Sequence, residues 1–209
     1  MSTPTLTAGV KATVLVDLLP KSSVRSRAIT RDVVLVLGFA LLTAAAAQVQ
    51  FSLGFTPVPL TGQTFAVLLS GAALGMRRGI ASQALYWGLG LTGLPFYAGG
   101  DGGWQNGTGS TLGYFVGFIV AAGVVGKLAE RRHDREVVSS LAAMAFGTVI
   151  IYAFGALWLA HNLNIPVANG EANAIAYGVT PFLVGDLLKM ALAGLLTPLA
   201  WATVSSKGK

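Results

Sequence analysis

Long apolar stretches alternate with short polar or charged segments along the chain. The clearest apolar stretch runs from Pro181 to Val204, and as a helix it is long enough to cross a hydrocarbon core of roughly 30 Å. Five similar stretches precede it. The pattern therefore predicts an all-α membrane protein, a bundle of six transmembrane helices at about residues 32–51, 58–75, 79–93, 111–128, 137–160 and 181–204.

Composition supports a single membrane domain. The 209 residues are 54% hydrophobic and 11% charged, with a mean hydropathy of +0.68, against roughly 25% charged residues in soluble domains. Six spans leave no room for a second folded domain. We expect a tail at residues 1–31, a membrane domain at 32–204 and a second tail at 205–209.

The basic residues predict the orientation. Thirteen of the 14 Lys and Arg residues flank the spans on one side, whereas the loops at 52–57, 95–110 and 161–180 contain none. Because basic residues in short loops stay in the cytoplasm, both termini are predicted to be cytoplasmic. The remaining basic residue, Lys189, falls inside the sixth span.

Asp186 and Lys189 are ionisable residues within a predicted span, where each charge costs roughly 2.5–3.5 kcal/mol on insertion scales. One explanation is an internal ion pair at i, i+3 spacing. We favour a ligand site, because apolar residues would pack there at lower cost. A carboxylate accepts hydrogen bonds and an ammonium donates them, so the pair suits a ligand with N–H groups and a carboxylate or carbonyl.

Other polar and aromatic residues fall near the same predicted outer level. Gln63 is either an interhelical hydrogen-bonding residue or a ligand contact, and Tyr86 either packs in the bundle or lines the site. Tyr97 and Trp104 are either interfacial aromatics or parts of a lid over the cavity. Asn106 belongs to the same Gly-rich loop. These residues complete the predicted binding set.

Ala40 and Ala44 form a small-xxx-small arrangement in the first span, which lets another helix approach closely. The partner is either a helix of the same bundle or another membrane protein.

Several functions find no support in the sequence. There is no Gly-x-x-x-x-Gly-Lys-Ser/Thr phosphate loop, no cysteine, and no histidine inside a predicted span. Because the basic residues flank apolar segments, nucleic-acid binding is not indicated. We therefore expect no enzyme activity, no cofactor and no metal site. Two transport roles remain open: a substrate-binding subunit without its own motor, and a self-sufficient ion-coupled secondary transporter.

Four short motifs together resemble the BioY family, the biotin-binding S components of energy-coupling factor (ECF) transporters. They are Pro57-Val58-Pro59-Leu60-Thr61-Gly62-Gln63-Thr64, Gly93-Leu94-Pro95-Phe96-Tyr97-Ala98-Gly99-Gly100, Gly113-Tyr114, and Pro181-Phe182 followed by Gly185-Asp186-Leu187-Leu188-Lys189. The resemblance extends over about residues 32–204. One departure is Ser110, which stands where the family pattern has proline.

The resemblance implies a bacterial plasma-membrane protein that binds biotin at the outer side, under the loop between the third and fourth spans. It implies separate ATPase subunits and a transmembrane coupling subunit that contacts Ala40 and Ala44. It also implies ligand roles for Asp186 and Lys189. On this basis Asp186 accepts a ureido N–H, and Lys189 either pairs with Asp186 or meets a polar group of the ligand.

Overall fold

The computed structural model describes residues 12–19 and 25–206, and it is all-helical apart from one two-residue strand pair. The helices are α1 (Arg25–Gln48), α2 (Gln63–Leu74), α3 (Met76–Leu91), α4 (Trp104–Thr108), α5 (Leu112–Glu130), α6 (Val137–Leu163), α7 (Ala174–Gly178) and α8 (Leu183–Ser206). Short 3-10 turns occupy Leu15–Leu18, Ala98–Gly100 and Thr180–Phe182. Strands β1 (Gln50–Phe51) and β2 (Leu60–Thr61) pair antiparallel, with Gln50 opposite Thr61.

Four helical stretches in the described residues are long and apolar enough to cross a membrane. They are Arg25–Gln48, Leu112–Glu130, Val137–Leu163 and Ala174–Thr203, the last of which contains α7 and most of α8. Helix α2 is apolar but has only 12 residues, and the 16-residue α3 carries Arg77, Arg78 and Gln83. The predicted all-α membrane class is confirmed at this level.

The second predicted span begins later than expected. Residues 58–62 are not part of a helix, and α2 begins only at Gln63. Pro57 and Pro59 lack the N–H that a helix interior needs. The Gly62 N–H instead donates to the carbonyls of Ala46 (3.1 Å) and Val49 (3.0 Å). A side chain at residue 62 would lie 2.8 Å from the Ala46 oxygen, so glycine permits this close approach to α1.

The first helix also differs from the prediction, because it begins at Arg25 rather than near Asp32. Residues 12–19 precede it and pack against one end of the bundle. There Val14 and Val16 are buried with Leu68, Leu74 and Met144. We call residues 12–19 the N-terminal segment.

Polar contacts also hold the N-terminal segment. The Asp17 carboxylate lies 3.9 Å from the Arg31 guanidinium and 3.6 Å from that of Arg78. The guanidinium of Arg135 donates to the carbonyl of Ala12 at 3.1 Å. The rest of the predicted tails, residues 1–11, 20–24 and 207–209, lies outside the described residues, and so do Lys11, Lys21, Lys207 and Lys209.

The bundle has two distinct ends. At one end, which we call the cavity end, α1, α3 and α6 finish and α2, α5 and α8 begin. Its core is rich in aromatic side chains, including Tyr86, Tyr97, Phe115 and Phe118. The opposite end carries the N-terminal segment and an aliphatic core. The cavity end contains the cavity described below.

Candidate ligand-binding site

A cavity of about 220 Å³ lies at the cavity end between α2, α5, α6, α8 and the segment from Tyr97 to Thr111. Its apolar lining is Pro57, Val58, Pro59, Ala98, Phe115, Phe118, Ile151 and Phe182. Its polar or ionisable lining is Thr61, Gln63, Thr64, Tyr97, Asp101, Gln105, Asn106, Ser110, Thr111, Tyr114, Tyr152, Asp186 and Lys189, with Gly109 between them. A mixed wall of this kind suits a small ligand with an apolar body and a few polar groups.

Asp186 and Lys189 lie side by side on the wall of this cavity. Both residues belong to α8 and are three positions apart, so their side chains lie one turn apart on the same face of the helix. The Lys189 Nζ is 2.6 Å from the Asp186 Oδ1. Asp186 is 5% exposed and occupies the first turn of α8, where the helix dipole favours a negative charge. The ion pair, one of the two explanations considered, therefore exists, and it lines the cavity.

Two further donors bind the Asp186 carboxylate. The Thr64 hydroxyl on α2 donates to Oδ1 at 3.0 Å, and the Tyr152 hydroxyl on α6 donates to Oδ2 at 2.6 Å. With Lys189, three helices thus supply donors to one carboxylate. Lys189 has three N–H donors, and Asp186 accepts one of them. The ammonium therefore keeps donor capacity at the cavity wall.

Gln63 lines the cavity, and Tyr86 lies behind it. The Gln63 Oε1 accepts from the Thr61 hydroxyl at 2.8 Å, and its Nε2 donates to the Tyr86 oxygen at 2.6 Å. Tyr86 is fully buried and does not reach the cavity lining. The structure therefore brings Gln63 to the cavity wall and sets Tyr86 one layer behind it.

Tyr97 belongs to the segment from Tyr97 to Thr111 that lines one side of the cavity, and we call this segment the cover. It is buried, its ring centroid lies 4.7 Å from that of Phe115, and its hydroxyl donates to the Trp87 carbonyl at 2.7 Å. Burial raises the pKa of Tyr97 to about 12. Gln48, at the end of α1, donates to the Tyr97 carbonyl at 3.1 Å. The cover is thus tied to both α1 and α3.

The other residues of the cover differ in whether they line the cavity. Asn106 lines the cavity, and its amide donates to the Gly102 carbonyl at 3.0 Å. Trp104, two residues earlier on α4, is 68% exposed and is not among the lining residues. Of the two predicted aromatic residues of the lid, the structure brings only Tyr97 to the cavity.

Ala40 and Ala44 face the interior of the bundle. They are 0% and 7% exposed and belong to the same aromatic core as Tyr86 and Phe115. Helix α1 packs against α2 and α3 along this side. In this arrangement, the close packing that small residues permit is used within the chain itself.

Tyr152 is one of the cavity residues that the sequence analysis missed. It lies within the long apolar helix α6, and a single tyrosine does not alter the hydrophobic pattern that predicts this helix. The available signal was chemical, because a tyrosine hydroxyl inside a membrane bundle needs a hydrogen-bond partner. The nearby Asp186 provides one. Thr64 stands in one of the recognised motifs, but its spacing gave no reason to pair it with Asp186.

Comparison with known proteins places the chain in a family. The sequence model of the BioY family matches residues 14–206. The "Biotin transporter BioY" of Rhizobium etli is 37% identical over 175 residues, covering 80% of this chain and 91% of that protein. The protein of the same name from Rhodobacter capsulatus is 38% identical over 182 residues, covering 79% and 90%.

A solved structure shares the fold. The chain superposes with a TM-score of 0.71 on the S component for biotin from an ECF-type ABC transporter, at 21% identity, covering 85% of this chain and 93% of the other. The relatives and the four long apolar helices show a multi-pass membrane protein. The resemblance read from the four motifs is confirmed: this chain belongs to the BioY family.

Proposed function

We propose that this chain is a biotin-binding S component that captures biotin in the cavity and delivers it with separate energy-coupling subunits. The observation that carries the proposal is the Asp186–Lys189 pair on the wall of the cavity, in a chain that matches biotin transporters along about nine-tenths of their length. This is a transport role and not catalysis.

The chemistry of the cavity fits that ligand. Biotin has ureido N–H donors, an apolar thiophane ring and a carboxylate tail. Asp186 can accept an N–H, Lys189 can donate to a ligand oxygen, and Phe115, Phe118 and Ile151 offer an apolar surface. In this proposal Gln63, Tyr97 and Asn106 contact the ligand or cover it. Tyr86 holds Gln63 in place through their hydrogen bond. Trp104 remains part of the proposed lid, although it lies outside the cavity lining.

We propose that the cavity end faces the outside of a bacterial cell and that both termini are cytoplasmic. The charge distribution supports this orientation, because Arg77, Arg78, Arg131, Arg132 and Arg135 lie at the opposite end. The six-span count then requires α2 and α3 to cross. A helix of 12 residues is about 18 Å long, so the non-helical residues 58–62 complete the crossing of α2.

Energy comes, in this proposal, from an ECF transmembrane coupling subunit and ATPase subunits. The absence of a phosphate loop in the sequence supports a separate motor. Ala40 and Ala44 remain the proposed contact with the coupling subunit. Because both are buried here, that contact requires α1 to move away from α2 and α3.

Equilibrium binding tests the first half of the proposal. The purified chain is titrated with biotin, and with thiamine and pantothenate as competitors of similar size. Of these three vitamins, only biotin is expected to bind tightly. Binding of all three with similar affinity, or of none, would contradict the assignment.

Uptake by proteoliposomes tests the second half. Biotin accumulation is expected only when the coupling and ATPase subunits and ATP are present. Accumulation by the chain alone, driven by an ion gradient, would favour the alternative of a self-sufficient secondary transporter.

A further inference from the structure

The Asp186 carboxylate is held from both sides. Lys189 and Thr64 donate to Oδ1, at 2.6 Å and 3.0 Å, while Tyr152 donates to Oδ2 at 2.6 Å. With donors on both oxygens, rotation of the carboxylate would break at least one short hydrogen bond. Tyr152 is the donor to Oδ2, the oxygen that Lys189 and Thr64 leave free.

The remaining acceptor capacity of Asp186 follows from this arrangement. A carboxylate has about four lone-pair positions. Lys189 and Thr64 occupy Oδ1, so the position left open belongs to Oδ2, beside the Tyr152 hydroxyl. A ligand N–H therefore approaches Asp186 at the oxygen that Tyr152 orients, and Tyr152 lines the same cavity.

We propose that Tyr152 is a positioning residue for ligand recognition, whose hydroxyl holds Asp186 Oδ2 so that this oxygen accepts a single N–H donor from the ligand. The proposal rests on the proposed function, in which a ureido N–H binds Asp186. It adds that Tyr152 acts through Asp186 and sets the preference for a cyclic urea or similar N–H donor. The hydroxyl itself does not bind the ligand in this proposal.

The first test is biotin binding by Tyr152→Phe, which keeps the ring and removes the hydroxyl. A hydrogen bond to a charged group is worth about 1.5–3 kcal/mol, so the expected loss of affinity is roughly 10- to 100-fold. Thr148→Val is the matched control, because Thr148 lies one turn away on α6 and its hydroxyl donates to the Met144 carbonyl of its own helix. The control is expected to bind like the wild type.

A double-mutant cycle separates action through Asp186 from direct contact with the ligand. In the Asp186→Asn background, Tyr152→Phe is expected to lower affinity by no more than about threefold. If the two losses multiply, Tyr152 acts independently of Asp186 and the proposal is wrong. It is also wrong if Tyr152→Phe alone binds within about twofold of the wild type.

Infrared spectroscopy gives a readout that does not depend on biotin. The wild type minus Asp186→Asn difference spectrum identifies the Asp186 carboxylate stretch, and Tyr152→Phe is expected to shift that band while Thr148→Val leaves it in place. An unshifted band would overturn the proposal even if Asp186→Asn binds too weakly for the cycle. If the wild type itself does not bind biotin, the proposed function fails, whereas the infrared shift still reports whether Tyr152 orients Asp186.

Discussion

The ammonium of Lys189 lies 2.6 Å from the carboxylate of Asp186, one helical turn away on α8 and at the wall of the cavity. Neither charge is isolated, because each compensates the other inside the bundle. Thr64 and Tyr152 donate the additional hydrogen bonds that a buried carboxylate requires. The pair therefore combines a polar surface for a ligand with little net charge at depth.

Removal of the ammonium tests this compensation. Lys189→Met leaves Asp186 with only its two hydroxyl donors, so we expect a loss of roughly 1–3 kcal/mol of stability. The double variant Lys189→Met/Asp186→Asn is expected to recover part of it, because no buried charge remains. Thermal unfolding in detergent measures both effects.

The control for this prediction has the same spacing on the chain. Lys127 and Glu130 form an i, i+3 pair at 3.0 Å, but their side chains are 49% and 31% exposed. Lys127→Met is expected to change stability by less than about 0.5 kcal/mol. An equal loss in the two lysine variants would show that burial of the Asp186–Lys189 pair does not matter.

Gly90 makes room for the cover over the cavity. A Cβ at residue 90 would collide with the ring of Tyr97, whereas a Cβ at residue 88 on the same helix would meet nothing within 4 Å. Gly90→Ala is therefore expected to displace Tyr97 and to cost roughly 1–3 kcal/mol through overpacking, with a loss of biotin affinity. Gly88→Ala is expected to leave binding unchanged, and equal binding by both variants would contradict the role given to Tyr97.

Alkaline pH tests the burial of Tyr97. Its pKa is raised from 10.0 to about 12, so its contribution to stability is fully present below pH 10 and is lost as the pH rises through 12. We expect the stability difference between wild type and Tyr97→Phe to be constant up to pH 10 and then to decrease. A difference that does not change across this range would contradict the buried position.

The all-α membrane class could be predicted from the sequence, because the length of an apolar stretch is a property of a whole segment. The Asp186–Lys189 pair was predictable for the same reason, since two charges in an apolar stretch need a partner. Tyr152 and Thr64 were not assigned to the pair, because they come from other helices and only the packing of α2, α6 and α8 brings them together. The exposure of Trp104 was not predictable, since loop composition does not reveal which residues of α4 face the cavity.

The start of α1 was also beyond the hydrophobic pattern. Arg25, Arg27 and Arg31 precede the apolar stretch that predicted the first span, yet they are helical. In the first turns of α1, Arg31 forms ion pairs with Asp17 and Asp32. A pattern based on hydropathy does not detect a helix that continues into the polar region. Similarly, Val14 and Val16 were too few to predict the packing of the N-terminal segment.

The N-terminal segment yields a stability prediction. Val14 is 2% exposed in the aliphatic core, whereas Leu18, at the end of the 3-10 turn that follows Val14, is 39% exposed. Val14→Ala is expected to lower stability by about 1 kcal/mol or more through the cavity it leaves, and Leu18→Ala by much less. Thermal unfolding of the two variants checks this, and a larger effect at Leu18 would show that the segment packs differently.

The most direct test of the account compares two buried aspartates at opposite ends of the bundle. Asp186 lines the cavity, whereas Asp134 lies at the other end and accepts a hydrogen bond from the Trp201 indole at 2.5 Å. Equilibrium biotin binding is measured for folded Asp186→Asn and Asp134→Asn variants. We predict a loss of at least about tenfold for Asp186→Asn and unchanged affinity for Asp134→Asn. Wild-type affinity in the Asp186→Asn variant would show that biotin is not recognised by this pair.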